Sequence, residues 1–227
     1  MPDGNGCAAI WDVDGTLVDT AEMHFQAWAA TAMERGRPFS RDDFARTFGR
    51  RNPEIIHILF EDGLGEQEAI DLADRKERIY REKAARGVVL LPGVQALLED
   101  LHRAGFVQAV GSSAPRANLE LILRLAGVER FFPAVVAMED TQRGKPDPQV
   151  FQLAAQRLDI PPERCVVLED AVAGVQAAKA GGMKCIAVRF VGHHSEDALR
   201  QAGADLVAPT LEDVSAQAVL RLLGSRQ

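Results

Sequence analysis

The opening apolar run, Cys7-Ala8-Ala9-Ile10, is short and continuous, and it passes through Trp11 into Asp12-Val13-Asp14-Gly15-Thr16-Leu17. A run of that length ending in two acids and a glycine predicts a buried strand that opens into a tight turn. The period then changes. Ala21, Phe25, Trp28, Ala29 and Ala32 recur at helical spacing, so a helix is expected over Thr20–Arg35, stopped by Gly36 and Pro38. Shorter helical pieces follow near Arg41–Phe48 and Pro53–Phe60. A longer one runs from Glu66 to about Ala85, and its alternating charges predict a solvated face. No convincing strand falls between Thr20 and Val89, which marks this block as a helical insertion.

After Pro92-Gly93 helices and strands alternate. Helix Val94–Arg103 leads to strand Val107–Gly111, helix Arg116–Ala126 to a short apolar run at Ala134–Ala137, and helix Pro148–Leu158 to strand Cys165–Leu168. Helix Ala171–Ala180 leads to strand Lys184–Val188 and helix Ser195–Gln201 to strand Asp205–Val207, before helix Leu211–Leu223 closes the chain. This order predicts an α/β fold with a parallel sheet covered by helices on both faces. Residues 1–19 and 90–227 are expected to form that core, with 20–89 inserted after the first strand. In such sheets the site lies at the carboxyl ends of the strands.

The length of 227 residues can bury one large core and a modest insertion, and the composition (47% hydrophobic, 26% charged) is ordinary for a globular chain. A net charge of −7, with scattered basic residues, argues against nucleic acid as the main partner. Cys7, Cys165 and Cys185 lie in or beside apolar runs without metal-ligand spacing, which predicts reduced core thiols. The stretch Met1 to Gly6 has neither the basic nor the apolar part of a leader, and no apolar stretch is long enough to cross a membrane. A cytoplasmic location is therefore expected. The sequence does not give an oligomeric state, and a monomer is the default.

The strand-end rule selects the polar residues that could meet. The first strand ends at Asp12 and Asp14, the second at Ser112-Ser113 and the fourth at Glu169-Asp170, while Gly144-Lys145-Pro146 sets a lysine on a stiff loop. Asp12, Asp14 and Asp170 make an oxygen-rich site suited to Mg²⁺. Ser112 can donate hydrogen bonds to anionic oxygens, and Lys145 supplies positive charge opposite the metal. A phosphoryl group fits between them, neutralised from two sides. Asp12 is then a plausible nucleophile. Asp14 could protonate the leaving oxygen and later take a proton from water, its pKa raised by the neighbouring acid. Against this stand simpler roles: Ser112 or Ser113 as a helix cap, and Glu169-Asp170 as acids favoured at a helix start.

Across nearly its whole length the chain resembles the haloacid dehalogenase superfamily. Asp12-Val13-Asp14-Gly15-Thr16 resembles the first motif, Ser112 the second, Lys145 the third and Glu169-Asp170 the fourth. The resemblance implies a Rossmann-like core, a phosphoaspartate at Asp12, and Mg²⁺ held by Asp12, the Asp14 carbonyl and Asp170 with Glu169 assisting. It also implies that the insertion is a small helical cap. Asp14 separates the chain from the dehalogenases proper, so the fit is to phosphoryl transfer. Thr20 to Trp28, Lys76 and Tyr80 are similar to cap residues of the β-phosphoglucomutase subfamily. Three positions depart from it: Asn52 stands where a phosphate-gripping arginine is expected, Ala114-Pro115-Arg116 replaces Ser-Lys-Asn, and Thr16 replaces valine.

His24, Arg51, Asn52, Lys76 and Arg116 are the candidate substrate contacts, with Arg50 a further cation on the same loop. His193-His194 reads as a loop pair without metal geometry, and His57 and His102 fall in helices. The expected function is a Mg²⁺-dependent phosphohydrolase acting on a small phosphorylated metabolite, a sugar or polyol phosphate, through an aspartyl-phosphate. A phosphomutase is the alternative. A receiver-type signalling module would also combine acids, a hydroxyl and a lysine, but it lacks an insertion of roughly 70 residues after its first strand.

Overall fold

The computed structural model describes residues 6–60 and 63–224; the N-terminal stretch read above for a leader falls almost wholly outside them. Six parallel strands form one sheet: β1 (Ala8–Trp11), β2 (Val107–Gly111), β3 (Ala134–Val136), β4 (Cys165–Glu169), β5 (Lys184–Val188) and β6 (Leu206–Ala208). Their order is β3-β2-β1-β4-β5-β6, so β1 lies inside the sheet, paired on both sides. Side chains alternate faces along a strand. Ala9 and Trp11 accordingly join one apolar cluster and Ala8 and Ile10 the other. The first cluster is closed by α5 (Val94–Arg103), α6 (Arg116–Ala126) and α10 (Ala216–Leu222), the second by α7 (Gln149–Arg157), α8 (Val172–Ala180) and α9 (Glu196–Gln201).

Between β1 and α5 lie α1 (Ala21–Met33), α2 (Arg41–Thr47), α3 (Asn52–Phe60) and α4 (Glu66–Ala84). They pack around their own cluster of Trp28, Phe39, Phe44, Phe48, Ile55 and Leu72, among others. Ser40 starts α2 through a capping box with Asp43. The long α4 is not merely a solvated charged helix: Lys76, Glu77 and Tyr80 are buried.

One expected element differs. The last helix begins at Ala216, not at Leu211. Leu211 is buried, but its N–H donates to the Pro92 carbonyl at 3.2 Å, and the Leu211-Glu212 backbone lies so close to Gly93 that a Cβ there would sit 2.2 Å from it. Ser215 then caps the helix by accepting the Ala218 N–H. All three cysteines are buried and free, as their apolar setting predicted. Among the described residues no helix is long and apolar enough to cross a membrane.

Candidate active site

Strand register brings the first set of residues together. Trp11 lies opposite Val110 on β2 and Leu168 on β4, so the next residues along, Asp12 and Glu169, emerge side by side. The Asp12 N–H still donates to the Leu168 carbonyl at 3.0 Å. The chain then curls: Leu17 and Val18 both donate to the Val13 carbonyl, and Gly15 adopts φ +85°. That curl has a consequence the two-residue spacing could not reveal. Asp14 does not share a strand face with Asp12 but points at the helical insertion.

Lys145 arrives from the loop before α7 and is 3% exposed. Its Nζ donates to Asp12 Oδ1 and to Glu169 Oε1, each at 2.7 Å. Glu169 Oε2 accepts the backbone N–H groups of Asp170 and Ala171 at 2.7 and 2.6 Å. Ser112 does not cap α6, whose first residue is preceded by Pro115. Its Oγ accepts the Ala114 N–H at 3.2 Å, which leaves the hydroxyl proton free to donate. Ser112 and Asp12 both line the cleft that opens between the core and the insertion.

Asp12, Glu169 and Asp170 are buried, with carboxylate oxygens within 4.8 Å of one another. Three carboxylates share one ammonium. Burial pushes the Asp12 carboxyl up to about 7, with Glu169 and Asp14 adding to the rise and Lys145 opposing it. Burial, Glu169 and Asp12 likewise push Asp170 well up, and among the described residues no hydrogen-bond donor reaches its carboxylate. Buried acids without sufficient donors are costly. A hard divalent cation suits this all-oxygen donor set. The backbone accommodates the acids closely: a Cβ on Gly15 would lie 2.1 Å from Asp170 Oδ2, and one on Gly174 1.7 Å from Glu169 Oε1. The Asp14 carboxylate is not part of this cluster.

Asp14 sits in a second network. Its Oδ1 accepts from the Thr20 hydroxyl, from Tyr80 Oη at 3.3 Å and from His24 Nε2 at 3.2 Å. Lys76 Nζ lies 2.9 Å from His24 Nδ1. An ammonium can only donate, so Nδ1 is the bare nitrogen and Nε2 carries the proton that reaches Asp14. The expected rise in the Asp14 pKa is therefore reversed. Burial pushes it up, but the His24 imidazole, the Thr20 hydroxyl and the Lys76 ammonium outweigh that and bring it down to about 2. The raised carboxyl at the tip of β1 is Asp12.

The other candidates divide. His24, Asn52, Lys76 and the exposed Arg50 line the cleft. Arg51 and Arg116 lie outside its wall. Arg51 leans on the core, its Nη2 donating to the Met138 carbonyl at 3.2 Å and its Cδ 2.6 Å from where a Gly144 Cβ would be. Arg116 pairs with Asp140, which Arg157 also holds. Both guanidiniums bond to groups of the chain itself, although the buried Arg51 Nε has no partner. His193 packs its ring 4.5 Å from Phe48, against the insertion. Sequence patterning does not single out Glu77. Its place in a charged helix hid it, yet it is 4% exposed and lines the cleft.

The haloacid dehalogenase-like hydrolase family matches residues 8–182. The chain belongs to that family. This hydrolase is 33% identical over 204 residues to a phosphorylated carbohydrates phosphatase of Thermotoga maritima, covering 87% of this chain and 91% of that one. It is 34% identical over 215 residues to the β-phosphoglucomutase of Bacillus subtilis, covering 92% and 91%. Its fold matches a β-phosphoglucomutase structure from Clostridium difficile with a TM-score of 0.87 at 23% identity, over 96% of each chain. Membership of a hydrolase family displaces the signalling-module reading.

Proposed function

We propose that this hydrolase is a Mg²⁺-dependent phosphatase of small sugar or polyol phosphates, working through an aspartyl-phosphate on Asp12. The supporting observation is the placement of Asp12, which lines the cleft while its Oδ1 is held 2.7 Å from a buried lysine and its neighbours are Glu169 and Asp170. Asp12, Asp170 and Glu169 would hold the ion, with the Asp14 main-chain carbonyl as a further oxygen ligand. When bound, Mg²⁺ supplies the charge neutralisation that lets a carboxylate approach a phosphate dianion. Lys145 and the Ser112 hydroxyl bind the phosphoryl oxygens.

In the first half-reaction an Asp12 oxygen bonds to phosphorus, the ester P–O bond breaks, and the leaving oxygen takes a proton from Asp14. In the second, water bonds to phosphorus, Asp14 takes a proton from it, and the Asp12–phosphorus bond breaks to free phosphate. The Thr20–His24–Tyr80 cage holds Asp14 ionised, the form that the second half needs. Asp14 already lines the cleft, and the proton it gives as an acid is the one it takes from water in the second half of the preceding turnover. The insertion covers the cleft as a cap and limits access of bulk water to the reacting centre.

Asp12→Asn is expected to cut phosphate release by at least about a thousandfold while leaving the melting temperature of the protein in place. Chelation with EDTA should abolish release, and added Mg²⁺ should restore it. Unchanged turnover in Asp12→Asn would overturn the nucleophile assignment. The similarity to a phosphoglucomutase keeps a mutase as the second reading. β-Glucose 1-phosphate with a trace of glucose 1,6-bisphosphate separates the two: glucose 6-phosphate forming faster than free phosphate would favour the mutase.

A further inference from the structure

Glu77 is a buried carboxylate in the cleft wall, and its partners come from both parts of the molecule. Oε1 accepts from Lys76 Nζ and from Asn52 Nδ2, each at 2.7 Å. Oε2 accepts from Asn118 Nδ2 on α6 at 2.5 Å, and Arg81 donates to the other end of that amide at 3.0 Å. An ionised carboxylate accepts and never donates. The amide of Asn52 is therefore locked with its nitrogen toward Glu77 and its carbonyl on the opposite side. The carbonyl oxygen of Asn52 takes no donor among the described residues, and it is not among the buried atoms left without a partner. Asn52 lines the cleft, so an oxygen that is neither bonded nor sealed is free to accept from a molecule bound there.

We propose that Glu77 is a specificity-positioning residue: by fixing the Asn52 amide, it presents a hydrogen-bond acceptor to the part of the substrate beyond the phosphate. This deepens the phosphatase reading above and rests on it. An acceptor at that place welcomes a hydroxyl and opposes a second phosphate or a carboxylate, whose oxygens only accept. The substrate class is thus a phosphate monoester with a free hydroxyl where it meets Asn52, taken in preference to the corresponding bisphosphate. Trp28 and Ile55, also in the wall, offer apolar area to its carbon skeleton. Two cations also stand in the wall: Lys76, whose ammonium is neutralised by Glu77 Oε1 at 2.7 Å, and Arg50, which is exposed and hydrated.

The test measures phosphate release from fructose 1-phosphate and fructose 1,6-bisphosphate by the full chain with Mg²⁺. The monoester should lead by about tenfold or more in kcat/KM, the size of one mismatched polar contact. Glu77→Gln frees the Asn52 amide to turn over, and Asn52→Ala removes the acceptor. Each should bring the ratio toward one, mainly through KM, and the double variant should go no further. A purely structural loss would lower both substrates together and leave the ratio where it was. Melting-temperature shifts with the same two ligands give a second readout that needs no turnover, with the same order expected. A wild-type preference for the bisphosphate that vanishes in Arg50→Ala would overturn the proposal, as would a monoester preference that survives both Glu77→Gln and Asn52→Ala. Loss of all hydrolysis with the ligand ranking intact would count against the phosphatase reading alone.

Discussion

Gly174 interrupts helix α8 where alanine would be preferred by about 1 kcal/mol. The substitution Gly174→Ala should nevertheless fail to stabilise the protein. Its Cβ would fall 1.7 Å from Glu169 Oε1, which must then swing off Lys145. We expect no gain in melting temperature, at least a tenfold loss of phosphatase activity and a higher Mg²⁺ requirement, read from a Mg²⁺ titration of the rate. Which acid carries which pKa was not legible at this scale. Spacing placed Asp12 and Asp14 together, but the turn through Gly15 sends them into different networks, one short of donors and one rich in them. Turn geometry after a strand end is decided by hydrogen bonds that periodicity does not encode.

Between elements, Asp205 ties α8, β5 and β6 together. It accepts from Lys179 at 2.6 Å, Lys184 at 3.0 Å and the Cys185 N–H at 2.9 Å. Burial pushes its pKa up, and these three donors more than offset that, so it lies below the ordinary carboxylate range. A carboxyl lowered in the folded state stabilises above its unfolded pKa, and that contribution is lost as pH falls through the folded value. Asp205→Asn should therefore destabilise by about 1–2 kcal/mol at pH 7, with the difference shrinking below about pH 3. Urea denaturation of both proteins at the two pH values checks this. Elements punctuated by glycine or proline were the most legible: α5 and β2 begin and end as expected, helped by Gly93 and Gly105. The closing helix was not, because a buried leucine in a docked turn looks the same in sequence as the first leucine of a helix.

For the whole molecule, the core motifs were legible because parallel register forces the strand ends to one rim. Contacts across the cleft were not, since they depend on how the insertion sits. Arg51 reads as a substrate contact in sequence, yet it and Glu54 straddle Gly144, next to the buried Lys145. An alanine at 144 would place its Cβ 2.4 Å from Glu54 Oε1 and 2.6 Å from Arg51 Cδ. Gly144→Ala should push the insertion off the core, raise KM severalfold and speed proteolytic cleavage near residues 48–66. The same substitution with Arg51→Ala should regain part of the loss, because it removes one side of the clash.

The two tryptophans of the chain are divided between its parts. Trp11 is sealed in the sheet, its Nε1 donating to Gln108 at 3.0 Å, whereas Trp28 belongs to the insertion and borders the cleft with Lys76 Nζ 5.4 Å from its ring. The protein thus carries one internal optical probe for each half. A ligand entering the cleft should alter the emission of Trp28 and leave that of Trp11 nearly constant, so fluorescence of a Trp11→Phe protein would follow occupancy and that of a Trp28→Phe protein would follow unfolding of the sheet.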